Sequence, residues 1–497
     1  MGGRLQLKLN LITFSLAVPP TFQPPPTLLK WHTRRRQITV LLVVGWLTFM
    51  VPAISHATGF RLFPQSASGA GQSNAFAAQS DDPSAIFYNP SGITQLDGIQ
   101  LMAGALLAGG STNFTSSATG AKSRGDLGGS ISSPPPMHLY VTANLKGLAR
   151  AFDMPVLERV TVGVGVFSPF GLKYRWPEDG PLNTALTRAS LEMIDIRPVI
   201  AYKLTDTLSI AAGADIYTFS GLMGEGQFET HFHSSGAPGL PPPGIPIEIN
   251  GKNTSAGVNL SLRYTPCLTE NGPRCSFGFQ YRSQTALQLD GNFIANGALV
   301  ADNRTRLVLP QSFTFGLAAW PVRDAKTEWK FEVDLDKTDW SAFQNTDVHL
   351  SNGAVVAVPR NWEDTLSVMV GTEYKRIGPV LLPHWNIAVR AGWMYSETPI
   401  PSRTFDPALP DANSHTFSFG MGFLCQAGGK FVGFIPCGEG SNWYRPSAIG
   451  LDVAYQAAIY ETRHIAGNVP PLTAPTVVNG TYATSQHVGL VSVRVKF

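Results

Sequence analysis

From the middle of the chain onward, apolar and polar side chains alternate with a period of two, the repeat of an extended strand. Residues 328–336 show it most clearly. Trp329, Phe331, Val333 and Leu335 share one side, and Lys330, Glu332, Asp334 and Asp336 the other. Residues 415–424 repeat the pattern, with Phe417, Phe419, Met421 and Phe423 against Thr416, Ser418, Gly420 and Gly422. Leu451, Val453 and Tyr455 alternate with Asp452 and Gln456. At the end of the chain, Val491, Val493, Val495 and Phe497 face away from Ser492, Arg494 and Lys496. Segments of this kind, separated by turn residues, predict about 14 strands. They fall at 97–109, 137–145, 158–170, 188–204, 207–222, 255–266, 276–292, 304–320, 328–350, 364–377, 385–397, 414–425, 447–462 and 485–497.

An all-β chain of this kind can close as a soluble sandwich or as a transmembrane antiparallel β-barrel. In a sandwich the charged face of 328–336 would meet outside water; in a barrel it faces the lumen and the apolar row meets lipid. Composition favours the barrel. Only 14% of the 497 residues are charged. Yet beyond residue 57 no apolar run reaches the ~18 residues of a helical span. The net charge is +3, and no basic patch is interleaved with aromatics, which gives no case for nucleic acid. Connection lengths agree with a barrel. The links 204–207, 321–327 and 376–384 are short and follow even-numbered strands, whereas 171–187, 222–254 and 463–485 are long and follow odd ones. Short turns belong at the periplasmic end. Residues 145–158 are longer than such a turn should be. The final strand ends on an aromatic, which resembles the signal read by the barrel-assembly machinery of the outer membrane.

The N-terminus carries an export signal. Arg34-Arg35-Arg36 precede the apolar stretch 38–54, and Ser55-His56-Ala57 supplies small residues for cleavage, so the mature chain is expected to start at Thr58. Residues 1–30 precede any ordinary signal and fit a start codon placed too early. Cys267/Cys275 and Cys425/Cys437 form two close pairs in an exported chain, which predicts two local disulfides across turns.

Between the signal and the first strand lies a different kind of sequence. Residues 59–93 are rich in Gly, Ala and Ser and have neither strand alternation nor a long helical period. The block resembles the N-terminal hatch of the FadL-type outer-membrane transporters. The resemblance rests on Thr58-Gly59-Phe60, the Ser-Ala-Ser-Gly-Ala-Gly run at 66–71, and Asp81-Asp82-Pro83-Ser84-Ala85 leading into Asn89-Pro90-Ser91, where the family usually has Asn-Pro-Ala. It implies a signal peptide at 1–57, a hatch at 58–96 and an outer-membrane barrel at 97–497 of a Gram-negative bacterium. It implies passive uptake of long-chain fatty acids or other hydrophobic molecules by a monomer. Its partners would be the cargo, outer-membrane lipid, lipopolysaccharide and the assembly machinery.

The resemblance also nominates residues. Phe60 would stand at the hatch tip, in the ligand pocket, and Asn89, Pro90 and Ser91 belong to the hatch motif. Residues 161–172 correspond to the family's third strand, where an inward kink opens a side exit to the bilayer; Gly163, Gly165 and Pro169 suit a bent strand. Lys330 and Arg390 are lumen candidates for binding a carboxylate. Phe228 and the Pro-rich stretch 237–246 suggest an apolar landing site outside. No catalytic motif is present and no cofactor or metal is expected. His231 and His233 share a face if extended, but with no evident third ligand they read as solvent-exposed. The acidic row of 328–336 reads as lumen solvation. Two alternatives remain: an aromatic or alkane hydrocarbon channel of the same family, and a non-transporting receptor or adhesin.

Overall fold

Fourteen antiparallel strands each pair with their sequence neighbours, and the last returns to the first. The computed structural model describes residues 59–133, 135–221, 225–438 and 445–497. The strands are β1 (Ile99–Ser116), β2 (Met137–Asn144), β3 (Val160–Phe167), β4 (Arg188–Lys203), β5 (Leu208–Phe219), β6 (Ser255–Tyr264) and β7 (Cys275–Arg282). They continue with β8 (Ser312–Arg323), β9 (Thr327–Thr338), β10 (Thr365–Ile377), β11 (Trp385–Ser396), β12 (Ser414–Cys425), β13 (Ala448–Tyr460) and β14 (Gly480–Lys496). Closure runs the length of β1, from Gln100 opposite Lys496 to Ser116 opposite Gly480. The all-β expectation and the strand number hold. The expected signal peptide and cleavage site fall in residues outside the described ones.

The period-two pattern works as expected. On β9, Trp329, Phe331, Val333 and Leu335 are exposed on the outer wall, while Lys330, Glu332, Asp334 and Asp336 are buried inside. Phe417, Phe419, Tyr455, Val491 and Val493 continue the outward apolar surface. No described helix is long and apolar enough to cross a membrane; strands make the wall.

Three expected strands are corrected. Residues 276–292 and 304–320 each span two elements. β7 ends at Arg282, and an outer hairpin, Thr285–Ala295 with Ala298–Leu309, intervenes before β8. The hairpin has two faces of its own, so alternation runs through the breaks without a change of period. The expected strand 328–350 stops at Thr338, where Trp340–Ala342 forms a helical turn. Both disulfides form as expected, Cys267–Cys275 and Cys425–Cys437. They clip the β6–β7 and β12–β13 connections at the short-turn end. The long β2–β3 connection holds a helix, Lys146–Phe152, and a turn, Pro155–Arg159, which account for its length.

The C-terminal residue takes part in closure: the Phe497 amide donates to the Ile99 carbonyl at 2.9 Å, and its ring continues the outward row of β14. Deleting Phe497 is expected to lower the amount of folded barrel recovered from membranes several-fold. Heat-modifiable gel mobility of membrane fractions checks this, and parental levels of the truncated protein would refute it.

Candidate functional site

Residues 59–95 lie against the inward faces of the strands, and most are fully buried. They contain only two single-turn helices, Ala67–Ala70 and Ala85–Tyr88, and one helical turn, Pro90–Gln95. Many of their amides therefore need partners from the wall. β9 supplies them. One oxygen of Asp334 accepts from the amides of Phe76 and Ala77, both at 2.8 Å. Glu332 accepts from Ala78 at 2.6 Å and Gln79 at 3.2 Å. Asp336 pairs with Arg61 at 2.5 Å. Hydrogen bonds to charged groups contribute roughly 1.5–3 kcal/mol each. The acidic row is thus a rail for the N-terminal segment, which corrects its reading as lumen solvation.

Neighbouring strands meet the same segment with glycine. A Cβ on Gly278 of β7 would lie 2.1 Å from the Ala77 carbonyl oxygen. On Gly371 of β10 it would lie 2.7 Å from the Gln72 oxygen, on Gly392 of β11 2.4 Å from the Gln72 carbonyl carbon, and on Gly420 of β12 2.8 Å from Gly71 Cα. The obstructing atoms are backbone and cannot rotate aside, so these positions require glycine. Sequence reasoning missed this group. Its signal was glycine at inward positions of alternating strands, as at Gly420.

The nominated residues fall into two sets. Gly163 and Gly165 face inward on β3, where a Cβ would come to 2.8 Å and 3.0 Å from Ile86 side-chain atoms. They sit against the N-terminal segment, while the strand itself breaks further on. Asn89 caps the Pro90–Gln95 turn, accepting from the Ser91 hydroxyl at 2.6 Å and donating to the carbonyls of Ala77 at 2.7 Å and Leu262 at 3.1 Å. Pro90 opens that turn. The Ser91 amide reaches the Ser261 hydroxyl on β6 at 2.9 Å. None of these five residues lines the two cavities described next.

Phe60 and Pro169 belong to the second set. β3 pairs with β4 up to Phe167 opposite Asp195, and pairing resumes at Gly171 opposite Glu192. Three residues, 168–170, therefore oppose two, a bulge. Here the wall pairs with the segment's tip: Leu62 donates to the Pro169 carbonyl at 2.8 Å, and Gly171 to the Phe60 carbonyl at 2.9 Å. The Phe60 ring is enclosed by Phe170, Trp340, Phe343 and Trp362, with centroids 4.8–5.7 Å away. Gly59 adopts φ +62°, and a Cβ there would meet both tryptophans at 2.9 Å. Its amide donates to Asp411, in the β11–β12 loop, at 3.0 Å.

The tip borders two cavities, with Leu172, Leu191 and Leu409 also lining both. The first, about 170 Å³, lies under the long loops and is lined by Phe60, Phe228, Phe232, Phe343, Trp362 and Phe405 among others. The second, about 200 Å³, is lined by Gly59, residues 61–64, Leu106, Asp411, and residues on both sides of the β3 break. It reaches Ser132 and Pro136, before β2, and Leu172 and Lys173, after the break. Lys173 spans this gap, 2.6 Å from the Ser133 carbonyl and 2.7 Å from Glu192. Lys330 and Arg390 line neither cavity. Lys330 is held by Glu332 and Gln79, each at 2.6 Å, and Arg390 by Glu373 at 2.7 Å and Asp452 at 2.6 Å.

A closed barrel with its interior taken up by an N-terminal segment can be compared with known proteins. Residues 48–429 match the model of the outer membrane protein transport protein family (OMPP1/FadL/TodX). The chain belongs to this family. It is an outer-membrane barrel whose strands cross the bilayer. A putative outer membrane protein of Neisseria meningitidis serogroup B is 25% identical over 435 residues, covering 77% of this chain and 85% of the relative. A Pseudomonas aeruginosa FadL homologue superposes with a TM-score of 0.66 at 18% identity, covering 88% of this chain and 100% of that one. The Ralstonia pickettii toluene transporter TbuX gives 0.53 at 16% identity, with 87% and 98% covered. These two structures share the fold.

Two outcomes follow. Gly278→Val, or Asp334→Asn combined with Glu332→Gln, should unseat residues 71–79 while the barrel stays folded. Single-channel conductance in planar bilayers should rise well above that of the parent, and an unchanged conductance would count against the rail. Second, burial pushes the Asp411 carboxyl up to about 7, against about 3.9 in water. The Thr398 hydroxyl and the Gly59 amide donate to this carboxyl and favour its ionised form, which offsets part of that rise. Limited proteolysis at the tip should run faster in Asp411→Ala, which removes the acceptor of the Gly59 amide, than in the parent.

Proposed function

We propose that the protein carries hydrophobic small molecules passively through the outer membrane, with residues 59–95 acting as a hatch and the break in β3 as a side exit. The observation that carries this reading is the pair of cavities that the hatch tip borders. The first opens among the outer loops, where apolar cargo would collect. The second ends at the gap between β2 and the segment after the β3 break, at the level of the wall. Cargo passing the tip would meet bilayer rather than aqueous periplasm. A greasy molecule gains by this route, since each buried CH₂ favours hydrocarbon over water by about 0.8 kcal/mol.

Two classes of cargo fit. Long-chain fatty acids suit the two successive cavities, and their carboxylate would need a cation, for which Arg61 and Lys173 in the second cavity are placed. Aromatic or alkane hydrocarbons are favoured by a specific observation: each cation lining the cavities already has a carboxylate partner, Arg61 with Asp336, Lys173 with Glu192 and Arg360 with Asp406. A neutral cargo leaves these pairs intact. A receptor or adhesin would have no use for an interrupted wall. The fixed ion pairs of Arg197 with Asp195 and Asp215 lie by the carbonyls of Ile86 and Phe87 and serve to seat the hatch.

Ser132→Trp and Pro136→Trp should fill the gap from the side opposite the hatch. Uptake of a hydrophobic probe by cells bearing either variant is expected to fall several-fold, with heat-modifiable mobility unchanged. Parental uptake by both variants would send the cargo along another route. Mass spectrometry of what the parent retains from a mixed lipid and hydrocarbon extract distinguishes the two cargo classes.

A further inference from the structure

The loop between β5 and β6 contains a hairpin, Phe228–His233 paired with Pro246–Gly251. Period two gives it two unlike faces. Phe228, Thr230, Phe232 and Ile249 line the first cavity. The opposite face carries Glu229, His231, Glu248 and Asn250, with His231 directly across from Glu248 and Glu229 across from Asn250. The third ligand absent from the linear sequence is thus brought to His231 by strand pairing.

We propose that Glu229, His231 and Glu248 bind a divalent transition metal, Zn²⁺ by their donor set, and that the ion staples the two strands of this hairpin over the first cavity. One donor atom from each residue lies within 4.8 Å of the other two. His231 Nε2 stands 3.1 Å from a Glu229 oxygen. Zinc bonds of about 2.0–2.2 Å in tetrahedral geometry require donors about 3.3 Å apart, so small side-chain rotations complete the set. One imidazole and two carboxylates is a donor set that leaves a fourth position for water. The supporting groups are also in place. Gln227 donates to the other oxygen of Glu229 at 2.8 Å, and Asn250 to one oxygen of Glu248 at 2.6 Å. Each carboxylate is thereby oriented with an oxygen left for an ion, as outer partners do in metal sites. Arg188 lies 3.6 Å from Glu229 and also pairs with Glu225. The four charged neighbours sum to a net negative site that favours a cation.

The experiment uses the full-length protein, purified in detergent and stripped with a chelator. Zn²⁺ titration by calorimetry should show one saturable site per chain, and Co²⁺ substitution should give the visible absorption of a low-coordinate site. His231→Ala and Glu248→Gln should each weaken binding at least ~10-fold, with heat-modifiable mobility confirming that both variants fold. Zn²⁺ should slow amide exchange across residues 228–251 in the parent and not in His231→Ala. Absence of saturable binding, or equal affinity in parent and variants, overturns the site; binding without slower exchange overturns the staple. These measurements read the metal directly and do not depend on which cargo the barrel carries.

Discussion

The interior of this barrel is governed by the need to give partners to peptide groups that lie outside regular structure and away from bulk water. The wall meets that need by sign. Carboxylates on β9 take the amides of residues 76–79. Donors on β6 and β7 take carbonyls: Arg263 and Ser276 bond the Ala78 oxygen, and Gln280 and Arg282 bond that of Phe87. Where the backbones come too close for any side chain, glycine stands. Polar residues inside the barrel are therefore addressed to particular peptide groups, and an irregular segment becomes a fixed part of the structure.

The wall was legible in the sequence because each strand announces itself locally. Trp329 to Asp336 needs only its own alternation, and Phe497 only its place at the end of a row. The disulfides were legible for the same reason, since each closes a short loop. What lay beyond reach depends on distant partners. Asp334 is an acid in a polar row until Phe76 and Ala77 are placed against it. Gly163 and Gly165 suited a bent strand, and only the position of Ile86 shows what they accommodate. Phe60 could be nominated from its place near the start, but its cage of Trp340, Phe343 and Trp362 comes from one loop far along the chain. The outer hairpin 285–309 escaped because its period equals that of the strands around it.

The tip of the N-terminal segment joins these parts. It pairs with the broken strand through Leu62 and Gly171, holds Asp336 through Arg61, and offers Phe60 to an aromatic cage. The same few residues line both cavities. Moving the tip would break contacts made to three different stretches of the wall and its loops.

The order of residues in the chain has a kinetic consequence. Ala67 bonds to Ser492, the Ala70 carbonyl to Gln456, and Phe76 to Asp334, across separations of 425, 386 and 258 residues. Contacts this remote carry a large loop-closure cost and form late. The first part of the barrel's sequence to be synthesised is therefore among the last to find its place. Until β9 to β14 are in position, its amides must stay solvated or held by another protein.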